Sequence, residues 1–170
     1  MPAGLKASSS PIIVSFSVSE SAANTFTQAQ VDLALNVLDR EVFVVTGVNL
    51  DASEPEAIAG TNTKVRTSLS TTSRTNMGTL DDSNVIAVSR SVIQAAGMAD
   101  SGIGFTQSFG ETPAIGMDYL AIIATNDFFL QIQGDGNSGA KAMTGKLYGY
   151  RAIADANTFA ALAQSELLSA

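Results

Sequence analysis

The chain has 170 residues, which is long enough for one domain with a sizeable hydrophobic core. Only 15% of its residues are charged, against about 25% in an average globular protein, and 45% are hydrophobic. Cys, His and Trp are absent. Their absence excludes thiol catalysis, disulfides, imidazole bases and the commonest zinc ligands.

The net charge of −7 argues against direct binding to nucleic acid, because phosphate contacts need clustered Lys and Arg. Four basic residues, Lys64, Arg66, Arg74 and Arg90, are too widely spaced to form a patch that is visible in the sequence. Interface cores are poor in Lys, Glu and Asp, so the low charged fraction predicts that part of the surface is buried against other copies. An adaptation of the source organism's whole proteome is the alternative explanation.

Residues 1–10 are rich in Ser, Ala and Gly and contain few apolar groups. We expect an extended arm that is ordered by a neighbouring subunit, through strand addition, and not by its own domain. The arm lacks the apolar core of a secretory signal, and no apolar run reaches the roughly 18 residues of a membrane span. These features predict a protein that is made in a cytoplasm and does not span a membrane.

The first half of the chain shows mostly the two-residue period of half-buried strands. Residues 12–19 alternate apolar groups with serines, and residues 29–37 are apolar at every second position. For the second segment a helix capped by Thr27 is the competing interpretation. After a turn at residues 38–41, the β-branched run 42–50 predicts a central strand that is covered on both faces.

An acidic loop at residues 51–62 precedes a predicted strand at residues 63–72. This strand has Val65, Thr67 and Leu69 on one face. After a polar connection at residues 73–80, apolar residues recur at helical spacing from Val85 to Ala96. Asp82 or Ser83 could cap the start of a helix, and Gly97 stands where one would end. We therefore predict a helix here, with a strand as the competing interpretation because of the β-branched content. Ile103 and Phe105 then lie in a short strand.

The segment from Asp118 to Ala154 predicts a β-meander of three strands, on which the remaining strands pack. The strands are residues 119–125, 128–133 and 140–154, with a hairpin turn at Asn126-Asp127 and a loop at residues 134–139. Phe128, Leu130 and Ile132 share one face. A C-terminal helix follows, capped by Asp155, with an apolar stripe formed by Phe159, Leu162, Ala163, Leu167 and Ala170.

About eight strands with one or two short helices predict a mainly β fold, a single-domain antiparallel β-sandwich of the jelly-roll type. The sandwich spans residues 11–154, between the arm at residues 1–10 and the C-terminal helix and tail at residues 155–170.

Residues 134–139 (GDGNSG) match the dinucleotide-binding pattern G-x-G-x-x-G, but that site needs a helix next and a predicted strand follows. The phosphate-binding loop pattern fails as well, because five residues separate Gly139 from Gly145 and Leu147 stands where Ser or Thr would hold magnesium. An EF-hand is excluded because its twelfth position is Lys146. We interpret the segment as a flexible hairpin loop.

Two acidic groups on loops could form a looser calcium site: Asp51 with Glu54 and Glu56, or Asp81 with Asp82. Such carboxylates are more often merely solvated.

Asp100-Ser101-Gly102 matches the D-[ST]-G triplet of aspartic proteases, in which two carboxylates share one proton. With one triplet per chain, such an enzyme would have to be a homodimer, as in the small retroviral proteases. The alternative is a polar turn that precedes the strand at Ile103.

The whole chain resembles viral and phage coat or decoration proteins with a jelly-roll core. The residues that carry this resemblance are Leu38-Asp39-Arg40-Glu41 before VFVV, Phe128–Ile132, and Lys146–Arg151. The resemblance implies a virion structural protein that self-assembles into a capsid shell in the host cytoplasm. Its partners would be copies of itself and, as further candidates, other virion proteins.

We predict no enzyme activity and no catalytic, cofactor-binding or metal-binding residue. Two other classes stay open, a surface β-sandwich that binds glycan or calcium, and the homodimeric aspartic protease.

Overall fold

The computed structural model describes residues 2–107 and 110–169. In this part of the chain the secondary structure consists of ten strands, a 3-10 turn at Val37–Asp39 and one α-helix. The strands are β1 (Leu5–Ala7), β2 (Ile12–Ser19), β3 (Thr27–Asp32), β4 (Glu41–Ala52), β5 (Thr63–Ser70), β6 (Val85–Gln94), β7 (Ile103–Gln107), β8 (Ala121–Ile123), β9 (Asp127–Asp135) and β10 (Ala142–Ala154), and the helix is α1 (Ala156–Leu168).

Eight of the strands pair in a nested order. β2 pairs with β10, β3 with β9, β4 with β8, and β5 with β6, all antiparallel. The first sheet therefore contains β2, β10, β4 and β8, with β1 beside β10 as well, and the second contains β3, β9, β5, β6 and β7. Two antiparallel sheets wound in this way form a jelly roll. The predicted mainly β, antiparallel sandwich is confirmed.

The hydrophobic core lies between the two sheets and is built from alternate positions of their strands. Phe128, Leu130 and Ile132 of β9 are all fully buried on one face, as predicted. The Phe128 ring meets the ring of Phe16 from the first sheet edge-on, at a centroid distance of 5.7 Å. Val65 and Leu69 of β5 are fully buried as well, which confirms the predicted inward face of that strand.

Strand β4 is buried on both faces, as its continuous β-branched run predicts. Phe43 and Val45 point into the core between the sheets. Val42 and Val44 point the other way, into a second apolar cluster that includes Phe159 of α1. The helix thus covers the outer face of the first sheet, and this explains why β4 lacks the polar alternation of a half-exposed strand.

The helix predicted between Val85 and Ala96 is wrong, because Val85–Gln94 forms strand β6. Its pairing with β5 on one side and β7 on the other satisfies the backbone hydrogen bonds that a helix would have formed internally. Ala87, Ser89 and Ser91 are buried on one face. The small buried groups and β-branched neighbours suit a pleated sheet, so tertiary packing overrides the helical spacing of the apolar residues.

The predicted β-meander is also wrong, since its three strands do not pair with one another. β8 and β10 belong to the first sheet and β9 to the second. Asn126 lies in the crossover from β8 to β9, where its backbone carbonyl and its side chain accept hydrogen bonds from the amides of Leu33 (2.8 Å) and Leu35 (2.5 Å). A short polar link between apolar runs has the same sequence character in a hairpin and in a crossover.

The N-terminal arm is tied to its own domain. Leu5–Ala7 pairs with the end of β10, and the Leu5 side chain is buried in the cluster beneath α1. Gly4 has a left-handed φ of +79°, and a β-carbon there would lie 2.5 Å from the Thr158 hydroxyl oxygen. The prediction that the arm cannot dock on its own chain is therefore wrong. It overlooked that β10 extends beyond β2 and leaves a free edge for β1.

Helix α1 begins as predicted, with the Asp155 carboxylate accepting a hydrogen bond from the Thr158 amide at 2.7 Å. Its predicted apolar stripe is correct for Phe159 and Leu162, which pack on the sheet. It is wrong for Leu167, which is 74% exposed, and Ala170 lies outside the described residues. The buried place near the end of the helix is taken by Glu166 instead.

The period of two after Thr27 correctly predicts a strand, but β3 ends at Asp32 and not at Val37. Ala34 has a left-handed φ of +50°, which ends the extended backbone although Leu33 and Leu35 remain buried. Within residues 2–107 and 110–169, no helix is both long enough and apolar enough to cross a membrane.

Candidate functional site

The glycine-rich segment at residues 134–139 leads from β9 into a loop before β10, so no helix follows the G-x-G-x-x-G pattern. The predicted hairpin is wrong, because β9 and β10 lie in different sheets, and two glutamates bind the connection between them. Buried Glu20 accepts hydrogen bonds from the amides of Gly134 (2.6 Å) and Lys141 (2.8 Å). Asn137 is also buried and binds the Lys64 carbonyl at 3.0 Å. The segment is a structural connection at one end of the sandwich.

Glu56 holds the same loop from the other side. Its carboxylate accepts hydrogen bonds from the Ser138 hydroxyl, from the Ser138 amide at 2.9 Å and from the Gly139 amide at 2.9 Å, and it pairs with Lys141 at 3.3 Å. The hydrogen bond from the Ser138 side chain is the largest of the causes that lower the pKa of Glu56 to about 2. Both carboxylate oxygens are therefore used by protein donors.

In the second candidate calcium loop, Asp81 and Asp82 lie together, since the Thr79 hydroxyl contacts both carboxylates. Among the described residues, no group of three or more acidic side chains has the arrangement of a metal site. Asp82 accepts hydrogen bonds from Arg74 at 2.8 Å and from the Thr79 amide at 2.9 Å, and Asp81 accepts one from the Thr79 hydroxyl. Glu56 is likewise bound by residues 138–141, so three of the five candidate carboxylates accept hydrogen bonds from the protein, and the absence of a metal-binding residue stays a prediction.

The protease-like triplet Asp100-Ser101-Gly102 lies in the connection between β6 and β7. Asp100 and Ser101 are exposed, and the triplet lines a small cavity of about 130 Å³ with the loop around Ile58. A β-carbon on Gly102 would lie 3.0 Å from the Ile93 side chain, so this turn packs closely on β6. The geometry is that of an exposed turn, and the absence of catalysis stays a prediction.

The most distinctive exposed feature is strand β7. It pairs with β6 on one side, and within the described residues no strand pairs with its other side. All five of its residues are exposed. Ile103 and Phe105 point to the same face and are 52% and 55% exposed. An unpaired strand edge with exposed apolar side chains is a template for pairing with another chain.

Other large apolar side chains are exposed away from β7. Leu38, in the turn before β4, is 94% exposed. Leu167 and Leu168, at the end of α1, are 74% and 79% exposed, and Ile115 in the connection before β8 is fully exposed. Single exposed apolar residues are ordinary in proteins. These four residues lie in three separate segments of the chain.

The basic residues that appear dispersed in the sequence are partly brought together by the fold. Lys64 and Arg66 of β5 lie on the outer face of the second sheet, and Arg90 of β6 is directly opposite Arg66. The sequence does not reveal this pair, because the two residues are 24 positions apart and the apolar spacing around Arg90 predicts a helix. A strand assignment for residues 85–94 would place Arg66 and Arg90 on one face of the sheet.

No protein-family model matches the chain, and no curated protein matches its sequence. Among solved structures, the chain is similar to the unassembled VP1 pentamer of KI polyomavirus. The two share 8% sequence identity with a TM-score of 0.33, over 76% of this chain and 74% of that chain. Because the TM-score is this low, the similarity supports no conclusion about this chain. The fold assignment rests on the strand order.

Proposed function

We propose that this chain is a virion structural protein whose copies associate into a capsid shell, as a major capsid or coat protein. The observation that carries the proposal is β7, an exposed edge strand with Ile103 and Phe105 on one face. The low charged fraction of 15% supports it, because a surface poor in charge suits repeated contact between copies. Jelly rolls serve in viral capsids and also in lectins, so the fold alone does not decide the function.

In this proposal the free edge of β7 pairs with a strand of a second copy. Backbone hydrogen bonds supply the common part of the contact, and the side chains on one face supply its selectivity. Ile103 and Phe105 are each about half exposed, so complete burial of each contributes roughly 1 kcal/mol. These terms are modest for one contact and accumulate when the contact repeats around a shell.

A shell needs more than this one contact. If β7 pairs with β7 of a second copy about a twofold axis, the contact closes into a dimer and does not extend. A second, different contact must then join the dimers. The exposed apolar residues before β8 and at the end of α1 are the candidates for it: Ile115, Leu167 and Leu168. In the virion, assembled from copies made in the host cytoplasm, other virion proteins would be further partners.

The experiment compares the wild-type protein with two variants by sedimentation velocity and negative-stain electron microscopy. Phe105→Lys places a positive charge on the β7 edge, a device that blocks strand addition in natural proteins. Leu38→Lys is the matched control, because it adds the same charge and removes a more exposed apolar side chain away from any strand edge.

We expect particles or large rings from the wild-type protein and from Leu38→Lys, and smaller species from Phe105→Lys. A wild-type protein that sediments only as a monomer at micromolar concentration contradicts the assembly proposal. Equal loss of assembly in both variants contradicts the specific role of β7.

A further inference from the structure

The outer face of the second sheet carries two arginines in direct opposition. Arg66 of β5 and Arg90 of β6 occupy the same register position on neighbouring antiparallel strands. Side chains at such positions have β-carbons about 4.5–5.5 Å apart, and like charges there are destabilising. A fold that keeps both cations at this place therefore bears an electrostatic cost that a bound anion would remove.

Neither arginine is neutralised by a carboxylate in the described part of the chain. Arg66 donates from Nη2 to the Gln133 amide oxygen at 3.2 Å, and Arg90 donates from Nε to the Gln107 amide oxygen at 3.1 Å. The Arg66 Nε–H group is buried and has no hydrogen-bond partner among residues 2–107 and 110–169. By contrast, Lys64, two positions earlier on β5, is paired with Asp135 at 2.9 Å. The arginine pair thus combines unbalanced charge with an unused, desolvated donor.

The two arginines line a surface groove of about 390 Å³, here named the arginine groove. Its volume falls in the range of small-molecule sites, roughly 300–1,000 Å³. One wall is formed by Gly78–Leu80, from the connection that crosses the outer face of the sheet and is anchored there by a hydrogen bond from the Gly78 amide to the Ser68 hydroxyl at 3.2 Å. Leu80 and Val88 add apolar surface to the groove, and the Leu80 side chain is 66% exposed.

We propose that the arginine groove binds a small organic molecule that carries a phosphate or carboxylate group beside an apolar group. The oxyanion lies between the two guanidinium groups, which bind such planar or tetrahedral oxyanions through charged hydrogen bonds. The apolar part lies against Leu80 and Val88. This binding does not depend on self-assembly, because every contributing residue belongs to one chain.

Isothermal titration calorimetry at low ionic strength tests the proposal, with phenyl phosphate and inorganic phosphate as the probes. We expect phenyl phosphate to bind with one site per chain and more tightly than inorganic phosphate. Arg66→Gln and Arg90→Gln should each weaken binding by about tenfold to a hundredfold, because each removes charged hydrogen bonds to the anion. Lys64→Gln is the matched control and should change the affinity less than about twofold, since this cation is already paired.

A further variant, Leu80→Ser, tests the apolar part of the site. It should weaken the affinity for phenyl phosphate several-fold and leave the affinity for inorganic phosphate unchanged. Equal affinity of the wild-type protein for the two probes overturns the assignment to an organic anion. The absence of saturable binding, or unchanged affinity in Arg66→Gln and Arg90→Gln with native circular dichroism, overturns the site itself.

The groove could instead be filled by an acidic side chain of a second copy. In that case the Arg66→Gln variant would sediment as smaller species than the wild-type protein in the absence of any added anion. That result overturns the small-molecule assignment.

Discussion

One buried carboxylate adds to the apolar packing that attaches α1 to the first sheet, and its removal tests the fold. Glu166 is 7% exposed and accepts hydrogen bonds from the amides of Ala124 (2.8 Å) and Thr125 (2.9 Å), just beyond β8. Glu166→Ala leaves both donors without their acceptor. A buried donor left unpaired costs roughly 1–3 kcal/mol, so we expect a loss of about 2–4 kcal/mol in the free energy of unfolding.

For a domain of this size, 1 kcal/mol corresponds to about 2–4 °C in the melting temperature, so Glu166→Ala should melt roughly 5–15 °C lower. Differential scanning calorimetry measures this directly. Gln164→Ala, at an exposed position of the same helix, is the control and should melt within about 1 °C of the wild-type protein. If Glu166→Ala also stays within that range, the carboxylate does not hold the helix and the reasoning is refuted.

Three further predictions concern Glu166, Leu5 and Arg90. Burial raises the pKa of Glu166 above its ordinary 4.5 despite the opposing amide donors, so its proton-linked stabilisation is complete below pH 4.5 and is lost as pH rises through the folded pKa. The melting temperature of the wild-type protein relative to Glu166→Gln should therefore fall as pH rises from 4.5; a constant difference contradicts this. Leu5→Ala should cost about 2–3 kcal/mol in urea unfolding, whereas an arm held by a neighbour predicts no change in the isolated subunit. Arg90→Thr should raise the melting temperature by roughly 1–3 °C, because it removes like-charge repulsion from Arg66, and a lower value argues against that repulsion.

Local patterns in the sequence predict which faces of the strands are buried, because the two-residue period reports burial directly. Phe128, Leu130 and Ile132 are correctly assigned to one buried face, and β4 is correctly assigned as a strand covered on both sides. The same patterns do not reveal which strands are partners. β8, β9 and β10 are consecutive in the chain but alternate between the sheets, and no local interaction distinguishes such a crossover from a hairpin.

The errors on the N-terminal arm and on the helix expected from Val85 to Ala96 have the same origin as the error on the meander. The small apolar content of the arm predicts docking on a neighbour, but β1 gains its stability from backbone pairing with a part of β10 that lies about 150 residues later in the chain. The helix expected from Val85 to Ala96 became β6 because strands on both sides of it complete its hydrogen bonds. In both cases a distant segment outweighs the local preference.

The candidate sites were harder to predict than the fold, since they depend on which residues meet in space. Glu56 is a candidate calcium ligand in the sequence, and the composition of its loop does not indicate that Ser138, Gly139 and Lys141 use its oxygens. Arg66 and Arg90 are dispersed in the sequence, and only the register of β5 with β6 places them in opposition. Site chemistry of this kind requires the strand pairing to be known first.

The two proposed activities meet on one strand. Gln107 of β7 accepts the hydrogen bond from Arg90 in the arginine groove, while Phe105, two positions earlier on the same face, would contact a second copy. Suppose that both proposals hold and that an anion binds assembled chains and free chains with different affinities. The ratio of these two affinities is then also the factor by which the bound anion changes the assembly constant, because linkage between two binding equilibria is reciprocal. Sedimentation of the wild-type protein with and without phenyl phosphate therefore measures the coupling. The same measurement on Arg90→Gln should show none, since that variant removes the link between the groove and β7.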